Sequence, residues 1–293
     1  MSSFDDWPEI CRRAAPLAPL TWFGLGGPAE FLIEPRTEEQ LAAVVRRCHD
    51  SGTGVRLLGF GANVLVPDEG VRGVVIRLCT DAFCGVEYQR YTVAAGAGMD
   101  LTRLVRHTVR RGLAGFENLA GIPGTIGGGI CMNCGGRYGE IGTLVRSVRV
   151  VDRDGQIHER HRDELGFAYR RCNLGGEIVT QATFEVSETD PAELVKRFRQ
   201  IWMYKQNTQP PVGVRSAGCV FRNPDGRSAG ALIDQAGLKG LRNGGAYVSE
   251  RHANFILADR GATAADVRRL METVRERVEQ HSGIRLEPEV KVW

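Results

Sequence analysis

Two stretches of this chain leave the backbone bare, and bare backbone binds anions. In LLGFGANVLV, Gly59 and Gly61 bracket Phe60, and Ala62, Asn63 and Val64 follow. Successive N–H groups in such a turn make a concave anion site. The pattern is not G-x-G-x-x-G, because Val64 stands where the third glycine would fall, and it lacks the G-K-[ST] of a Walker loop. The second stretch, ENLAGIPGTIGGGICMNCGGRYGEIG, is barer still. Gly121, Pro123, Gly124, Thr125, Gly127, Gly128 and Gly129 leave it nearly free of side chains. Glycine permits positive φ and lets a ligand approach the main chain closely. Two separate nests suit a ligand with an extended pyrophosphate. The competing reading is a buried loop packed against other backbone, and glycine content alone does not separate the two.

The glycine excess is localised. Of 293 residues, 37 are glycine, nearly twice the usual share of about 7%. There is no Gly-X-Y period, so collagen is excluded. Charged residues at 25% and hydrophobics at 42% give a chain able to form a core, which excludes global disorder. A formal net charge of +3 gives no large nucleic-acid footprint. No stretch approaches the roughly 18 apolar residues of a membrane span, and the acidic, polar start MSSFDDWPEI is unlike a secretory signal. A cytoplasmic chain without membrane partners is expected. The eight cysteines read as reduced, small apolar residues rather than as a disulfide framework. Cys131-Met-Asn-Cys134 is a lone C-x-x-C. Thioredoxin-like chemistry would want it at the start of a helix, and zinc would want two more ligands at short spacing. We read it as packing, with no metal expected.

These candidates need elements to hold them. Thr37 and Gln40 form a capping box before Leu41, Val44, Val45 and Cys48, which repeat at helical spacing. Asp100 can cap a second helix with Leu101, Leu104 and Val105 inside and Gly112 at its end. Asp190 and Pro191 open a third, with Leu194, Phe198 and Ile201 facing inward. A fourth runs from Thr263 to about His281, with Val267, Leu270, Val274 and Val278 inside and Gly283 closing it. Strand-like runs lie at 55–59, 74–78, 91–96 and 177–186, and a hairpin turn falls at Asp154-Gly155. Strands and helices mix without a βαβα beat, so the fold class predicted is α+β. A boundary is expected near residue 190.

GFGANVLV and AGIPGTIGGGICMNCGGRYGEIG together resemble the FAD-binding half of the UDP-N-acetylenolpyruvoylglucosamine reductase (MurB) family. The resemblance continues through TWFGLGGPAEFLIEP, LGFAYRRCNL, SAGCVFRNP, AGALIDQAGLKG, VSERHANFI and LEPEV, in the family's order over nearly the whole chain. It implies the FAD-binding fold of the vanillyl-alcohol-oxidase/PCMH flavoproteins. A two-part FAD region, 1–80 and 81–189, would precede a smaller α+β substrate domain, 190–293. It also implies non-covalent FAD, NADPH as co-substrate, and reduction of the enolpyruvyl group of UDP-N-acetylglucosamine enolpyruvate to UDP-N-acetylmuramate.

The same resemblance assigns residues. Arg170 in FAYRRC falls on the family's oxyanion arginine; a forked, fixed cation suits a carboxylate becoming an enolate. Cys219 falls on the proton donor, usually a serine. A thiol near its usual pKa of about 8.5 is still mostly protonated at neutral pH and can donate. Glu289, the second glutamate of LEPEV, falls on the catalytic carboxylate; Glu287, two residues away, would face the opposite side of a strand. Tyr169, Arg222, Asn223, Lys239 and His252 fall on the UDP-sugar contacts, with Arg222 where lysine is common. The glycine stretches fall on the FAD loops: Gly59, Phe60, Gly61, Ala62, Asn63 and Val64, then Gly121, Pro123, Gly124, Thr125, Gly127 and Gly128. Cys219 follows Arg170 by only 49 positions, which matches the family's shorter variant and leaves its lid tyrosine without an obvious substitute. A monomer is expected. The alternatives are another FAD oxidase or dehydrogenase of this fold, or a non-catalytic UDP-sugar-binding regulator. An unrelated oxidase should lack SAGCVF and EPEV together, and an intact Arg170, Cys219 and Glu289 set argues against a silent binder.

Overall fold

A computed structural model of the protein describes residues 4, 6–224 and 226–293. The chain folds as two compact units, Met1–Arg13, Phe31–Gly59 and Arg72–Lys205 in one, and Ala14–Glu30, Phe60–Val71 and Gln206–Trp293 in the other. Each unit is assembled from separated stretches. The expected division into 1–80, 81–189 and 190–293 partitions the same chain differently, in sequence order.

In the first unit, helix α1 (Glu38–Asp50) buries Leu41, Val44, Val45 and Cys48 against Phe31, Ile33, Val74 and Ile76. Thr37 accepts the Gln40 N–H at 3.2 Å. Gln40 reaches back one residue further than a capping box predicts, accepting from the Arg36 N–H at 2.8 Å. The strands here run in the order Cys11–Pro16, Pro28–Ile33, Val71–Ile76, Val55–Leu57. The last two are parallel, with Val55 opposite Val74 and Leu57 opposite Ile76. A short helix, α2, spans Asp81–Cys84.

The same unit holds a five-stranded sheet ordered Ile157–His161, Val145–Val151, Ile178–Glu185, Thr92–Gly96, Val86–Tyr88, antiparallel at every pairing. Its first hairpin turns at the expected place. Asp152 Oδ1 accepts the N–H groups of Asp154 and Gln156 at 2.9 and 2.8 Å, and Gly155 supplies φ +73°. Helix α3 (Leu101–Arg110) is capped by Asp100, which accepts from the Arg103 N–H at 3.1 Å, and its buried Leu101, Leu104 and Val105 join the core around Phe116 and Phe184.

Helix α4 (Ile126–Cys131, sequence IGGGIC) departs from the expectation of a bare loop in this stretch. Each interior glycine costs a helix about 1 kcal/mol relative to alanine. Two features offset that cost: Thr125 accepts the Gly128 N–H as N-cap at 3.2 Å, and Ile126 and Ile130 are fully buried. Helix α5 (Pro191–Thr208) starts where Asp190 Oδ1 accepts the Ala192 N–H at 2.9 Å. Leu194 and Ile201 are buried in it, whereas Phe198 is only half-buried and stacks on Trp202.

In the second unit, α6 (Ala229–Gln235) and α7 (Ala264–Ser282) accompany a three-stranded sheet, Arg242–Asn243, Ala246–Val248, Ile256–Ala258. Thr263 and Asp266 close a full capping box on α7, and Gly283 ends it at φ +69°. Val267, Leu270, Val274 and Val278 are buried with Val220, Phe221, Leu286 and Val290, each contributing about 1.5–3 kcal/mol by the apolar surface it hides. This core also takes in Phe23 and Leu65 from far earlier in the chain.

Candidate active site

The first glycine loop follows the strand Val55–Leu57. Among the described residues, none of the five backbone N–H groups from Gly59 to Asn63 donates to a protein acceptor. A run of unused amides on a glycine turn is a ready cradle for phosphate oxygens. Gly61 is required by the fold: its φ is +63°, and a Cβ there would lie 2.4 Å from the Leu20 carbonyl oxygen. Gly59 is also constrained, because a Cβ would meet Thr125 Oγ1 at 2.7 Å. The start of the first loop therefore lies against the cap of the second.

In the second loop Lys205 Nζ donates to the Ala120 carbonyl at 2.6 Å. Gly121 has φ +72° and Gly124 φ +133°. Pro123 stands between them. The Gly124 carbonyl accepts the Leu101 N–H at 3.0 Å, and the Gly127 N–H donates to the Ala97 carbonyl at 2.8 Å. A Cβ on Gly127 would touch Ala97 Cβ at 3.0 Å. Gly128 is different. It is exposed, its φ is not positive, and an added Cβ would meet only Thr125 Oγ1, at 3.3 Å. A Cβ on Gly124 would meet nothing within 4 Å. At 128 only the tight Thr125 Oγ1 contact stands against a methyl group, and at 124 only the dihedral does, so both leave room for a bound group to press close. The residues present thus fit a pyrophosphate-bearing cofactor such as FAD.

Arg170 sits on a tight turn in the same unit. Ala168 and Arg171 exchange both backbone hydrogen bonds, at 2.9 and 3.0 Å, and close Tyr169-Arg170 between them. Arg170 has φ +55°, a conformation that costs a side-chain-bearing residue about 1–2 kcal/mol. Such strain collects where a side chain must point in one direction. Its guanidinium lies over the Tyr169 ring at 5.1 Å, and Tyr169 is 44% exposed. The guanidinium is also the foremost charge favouring the thiolate of Cys134; burial outweighs it and pushes that thiol up to about 12.

The second unit holds the rest. Val220 is the hub. Its carbonyl accepts the Glu289 N–H at 2.7 Å, and its N–H donates to the Asn254 carbonyl at 2.9 Å. Cys219 pairs with Phe255, and Phe221 with Pro288. Cys219 and Glu289 are thereby set on adjacent extended segments, with Glu289 half-buried and Glu287 exposed. Asn63 joins them, donating from Nδ2 to the Glu289 carbonyl at 3.3 Å, while its own carbonyl accepts the Lys291 N–H at 3.0 Å. Val64 pairs in parallel with Lys291, so the end of the first glycine loop runs beside the short strand Lys291–Val292 that follows LEPEV.

Around this hub, the Arg222 N–H donates to the Glu287 carbonyl at 2.9 Å. Arg222 Nε is buried without a hydrogen-bond partner among the described residues, a donor left with capacity for a polar group. His252 packs edge-on to Phe255 at 5.0 Å. Burial, with Lys239 as a lesser charge, holds its pKa below the usual 6.5. The Asn254 N–H donates to its Nδ1 at 3.3 Å, which fits the neutral ring. Lys239 pairs with Asp234 at 2.8 Å, and Asn223 Oδ1 accepts the Ala229 N–H at the head of α6 at 2.9 Å. Both side chains thus hold protein partners.

Several working residues escape a sequence reading. Arg215 donates to the carbonyls of Phe23, Gly24 and Asp259 at 2.8, 2.6 and 3.0 Å, pinning the TWFGLGG turn. Asn254 bonds Phe221 both ways, at 2.9 and 2.8 Å. Cys131 ends α4 rather than starting a helix, which fits packing better than redox chemistry. Among the described residues no His, Cys, Asp or Glu group could hold a metal ion, and no helix is long and apolar enough to cross a membrane.

Known proteins share both halves of this arrangement. Residues 209–293 match the family described as UDP-N-acetylenolpyruvoylglucosamine reductase, C-terminal domain, and residues 29–160 match an FAD binding domain. The UDP-N-acetylenolpyruvoylglucosamine reductase 2 of Symbiobacterium thermophilum is 43% identical over 98% of this chain and 93% of its own. The chain belongs to the UDP-N-acetylenolpyruvoylglucosamine reductase family. A member from Paramagnetospirillum magneticum is 42% identical over 98% of this chain and 95% of its own. The crystal structure of the family's enzyme from Thermus caldophilus superposes with a TM-score of 0.83 at 39% identity, covering 95% of this chain and 97% of that one. A solvent-stable cholesterol oxidase shares the fold over 64% of this chain and 40% of its own, at 20% identity and a TM-score of 0.50.

Proposed function

We propose that this chain is an NADPH-dependent flavoenzyme that reduces the enolpyruvyl group of UDP-N-acetylglucosamine enolpyruvate to UDP-N-acetylmuramate, a step of peptidoglycan precursor synthesis. The observation that carries the reading is the Val220–Glu289 pairing, which sets the Cys219 thiol and the Glu289 carboxylate on neighbouring segments in a chain of this family. Non-covalent FAD, when bound, supplies hydride transfer between NADPH and the substrate. Gly59, Phe60, Gly61, Ala62, Asn63 and Val64, and Gly121, Pro123, Gly124, Thr125, Gly127 and Gly128, would hold it through backbone amides and close approach.

The rest is done by side chains. Hydride arriving at the outer carbon of the enolpyruvyl group pushes charge onto the carboxylate. Arg170, fixed and forked, stabilises that enolate-like charge. Cys219 gives its proton to the neighbouring carbon and is left as a thiolate, which forms more easily than the alkoxide a serine would become. Glu289 polarises the substrate carboxylate or assists that proton delivery. Arg222 and Lys239 bring cations to a diphosphate, and Tyr169, Asn223 and neutral His252 offer polar contacts to the UDP-sugar. We place the enzyme in the cytoplasm, consistent with eight cysteines that form no disulfide in a reducing compartment, and expect it to act as a monomer. Purified protein should turn NADPH over beyond one equivalent per flavin, under anaerobic conditions, only when the enolpyruvyl sugar is present, with one UDP-N-acetylmuramate formed per NADPH turned over by mass spectrometry. NADPH consumption that yields no UDP-N-acetylmuramate would refute the assignment.

A further inference from the structure

Asn133 lies in the MNCGG stretch and has no role in the function just described. It is 2% exposed and has φ +41°, a conformation asparagine adopts more readily than most residues. Its side chain is fully used. Nδ2 donates to Glu140 Oε2 at 2.8 Å and to the Ala168 carbonyl at 3.1 Å, and Oδ1 accepts the Gly142 N–H at 3.0 Å. The Ala168 carbonyl is the one that accepts the Arg171 N–H and closes the turn carrying Arg170. The residue after Asn133 is Cys134, whose thiol feels the Arg170 guanidinium more than any other cation. One buried amide thus ties the segment beneath α4 to the carbonyl that shapes the arginine's turn.

We propose that Asn133 is a positioning residue for Arg170, fixing the strained turn so that the guanidinium meets the developing charge on the substrate carboxylate. This rests on the oxyanion role given to Arg170 above. A turn at φ +55° has lower-energy alternatives, and its neighbours must hold it. A half-buried carbonyl tied to the amide of a buried side chain cannot swing without leaving that amide short of a partner. The consequence is specific. Loss of the amide should slow the step in which substrate accepts hydride, and leave NADPH-driven flavin reduction largely alone, because only the first develops charge at a carboxylate.

The test uses the FAD-loaded enzyme with two variants that both tolerate positive φ. Asn133→Gly removes the side chain but keeps the backbone freedom. Asn133→Asp keeps shape and the acceptor for Gly142 but cannot donate when ionised. Stopped-flow measurement of flavin bleaching by NADPH and of its recovery on adding the enolpyruvyl sugar reads the two steps apart. Recovery slowed about 10- to 100-fold in both variants, with flavin content and bleaching within about threefold of wild type, supports the proposal. Recovery at the wild-type rate in either variant overturns it, as does equal slowing of both steps or loss of bound flavin. Arg170→Ala is the control. If that variant recovers at the wild-type rate, the role of Arg170 itself is refuted; if it is slow while Asn133→Gly is not, only the present proposal falls.

Discussion

Replacing Gly128 with alanine separates what the fold requires from what a ligand requires. Gly128 lies inside α4 and is exposed, and an added methyl group would meet one neighbour, Thr125 Oγ1 at 3.3 Å, a tight contact from which the cap must yield by a few tenths of an ångström. In a helix, alanine is favoured over glycine by about 1 kcal/mol, so Gly128→Ala should stabilise the flavin-free protein by up to about that amount. The same methyl would stand where the backbone is left open. With FAD packed there, overpacking costs about 1–3 kcal/mol, or roughly 5- to 150-fold in affinity. Urea unfolding of flavin-stripped protein gives the first number, and FAD titration followed by flavin fluorescence gives the second. The expected signs are opposite: a more stable apoprotein and weaker FAD binding. A variant that binds FAD as tightly as wild type would refute the placing of the cofactor on this loop. One that is destabilised without FAD would show that the fold does need glycine here.

Three further outcomes follow from the site. Cys219→Ala should keep NADPH-driven flavin bleaching and lose at least about 100-fold in recovery by substrate, whereas Cys219→Ser should retain much of it; normal turnover of the alanine variant would remove the thiol from the mechanism. Arg170→Gly relieves φ +55° and should leave stability unchanged or raised by about 1 kcal/mol in thermal or urea unfolding, while substrate-driven recovery is lost; a strongly destabilised variant would mean the side chain is structural. His252 is held neutral by burial, its pKa below 6.5, so the unfolded chain takes up a proton first as pH falls. Its contribution is complete above 6.5 and declines below that toward its lower folded value. Urea midpoints between pH 7.5 and 5.5 should fall less in His252→Asn than in wild type; equal slopes would exclude His252 as the source.

How far the sequence reaches depends on the distance over which each feature is decided. Caps and turns are local, and Thr37, Asp100, Asp190, Thr263, Gly155 and Gly283 all act where the residue pattern puts them. The glycine stretches also read correctly as unusual backbone, yet glycine propensity argues against α4, and only Thr125 and two buried isoleucines show why it forms. Burial of Phe23 and Leu65 with Val220 and Val290 depends on stretches more than 150 residues apart, which no local pattern encodes. At the site, Arg170, Cys219 and Glu289 are named by resemblance, not by chemistry. The hub at Val220 and the reach of the Asn133 amide to Ala168 are invisible in sequence because each is a tertiary hydrogen bond, and the Arg170 turn, though local, carries no glycine to mark its positive φ. In CMNCGG the two cysteines, Cys131 and Cys134, have the more conspicuous chemistry, while Asn133 between them makes the connections.

The central claim is that one bound flavin links NADPH to an enolpyruvyl sugar, and anaerobic titration tests it most directly. Purified protein should carry a yellow flavin spectrum. NADPH should bleach it, and the bleached spectrum should persist through additions of buffer and UDP-N-acetylglucosamine. It should then return in full on addition of UDP-N-acetylglucosamine enolpyruvate. Well-folded protein that neither carries nor takes up flavin would contradict the account, as would bleached flavin that the enolpyruvyl sugar fails to restore.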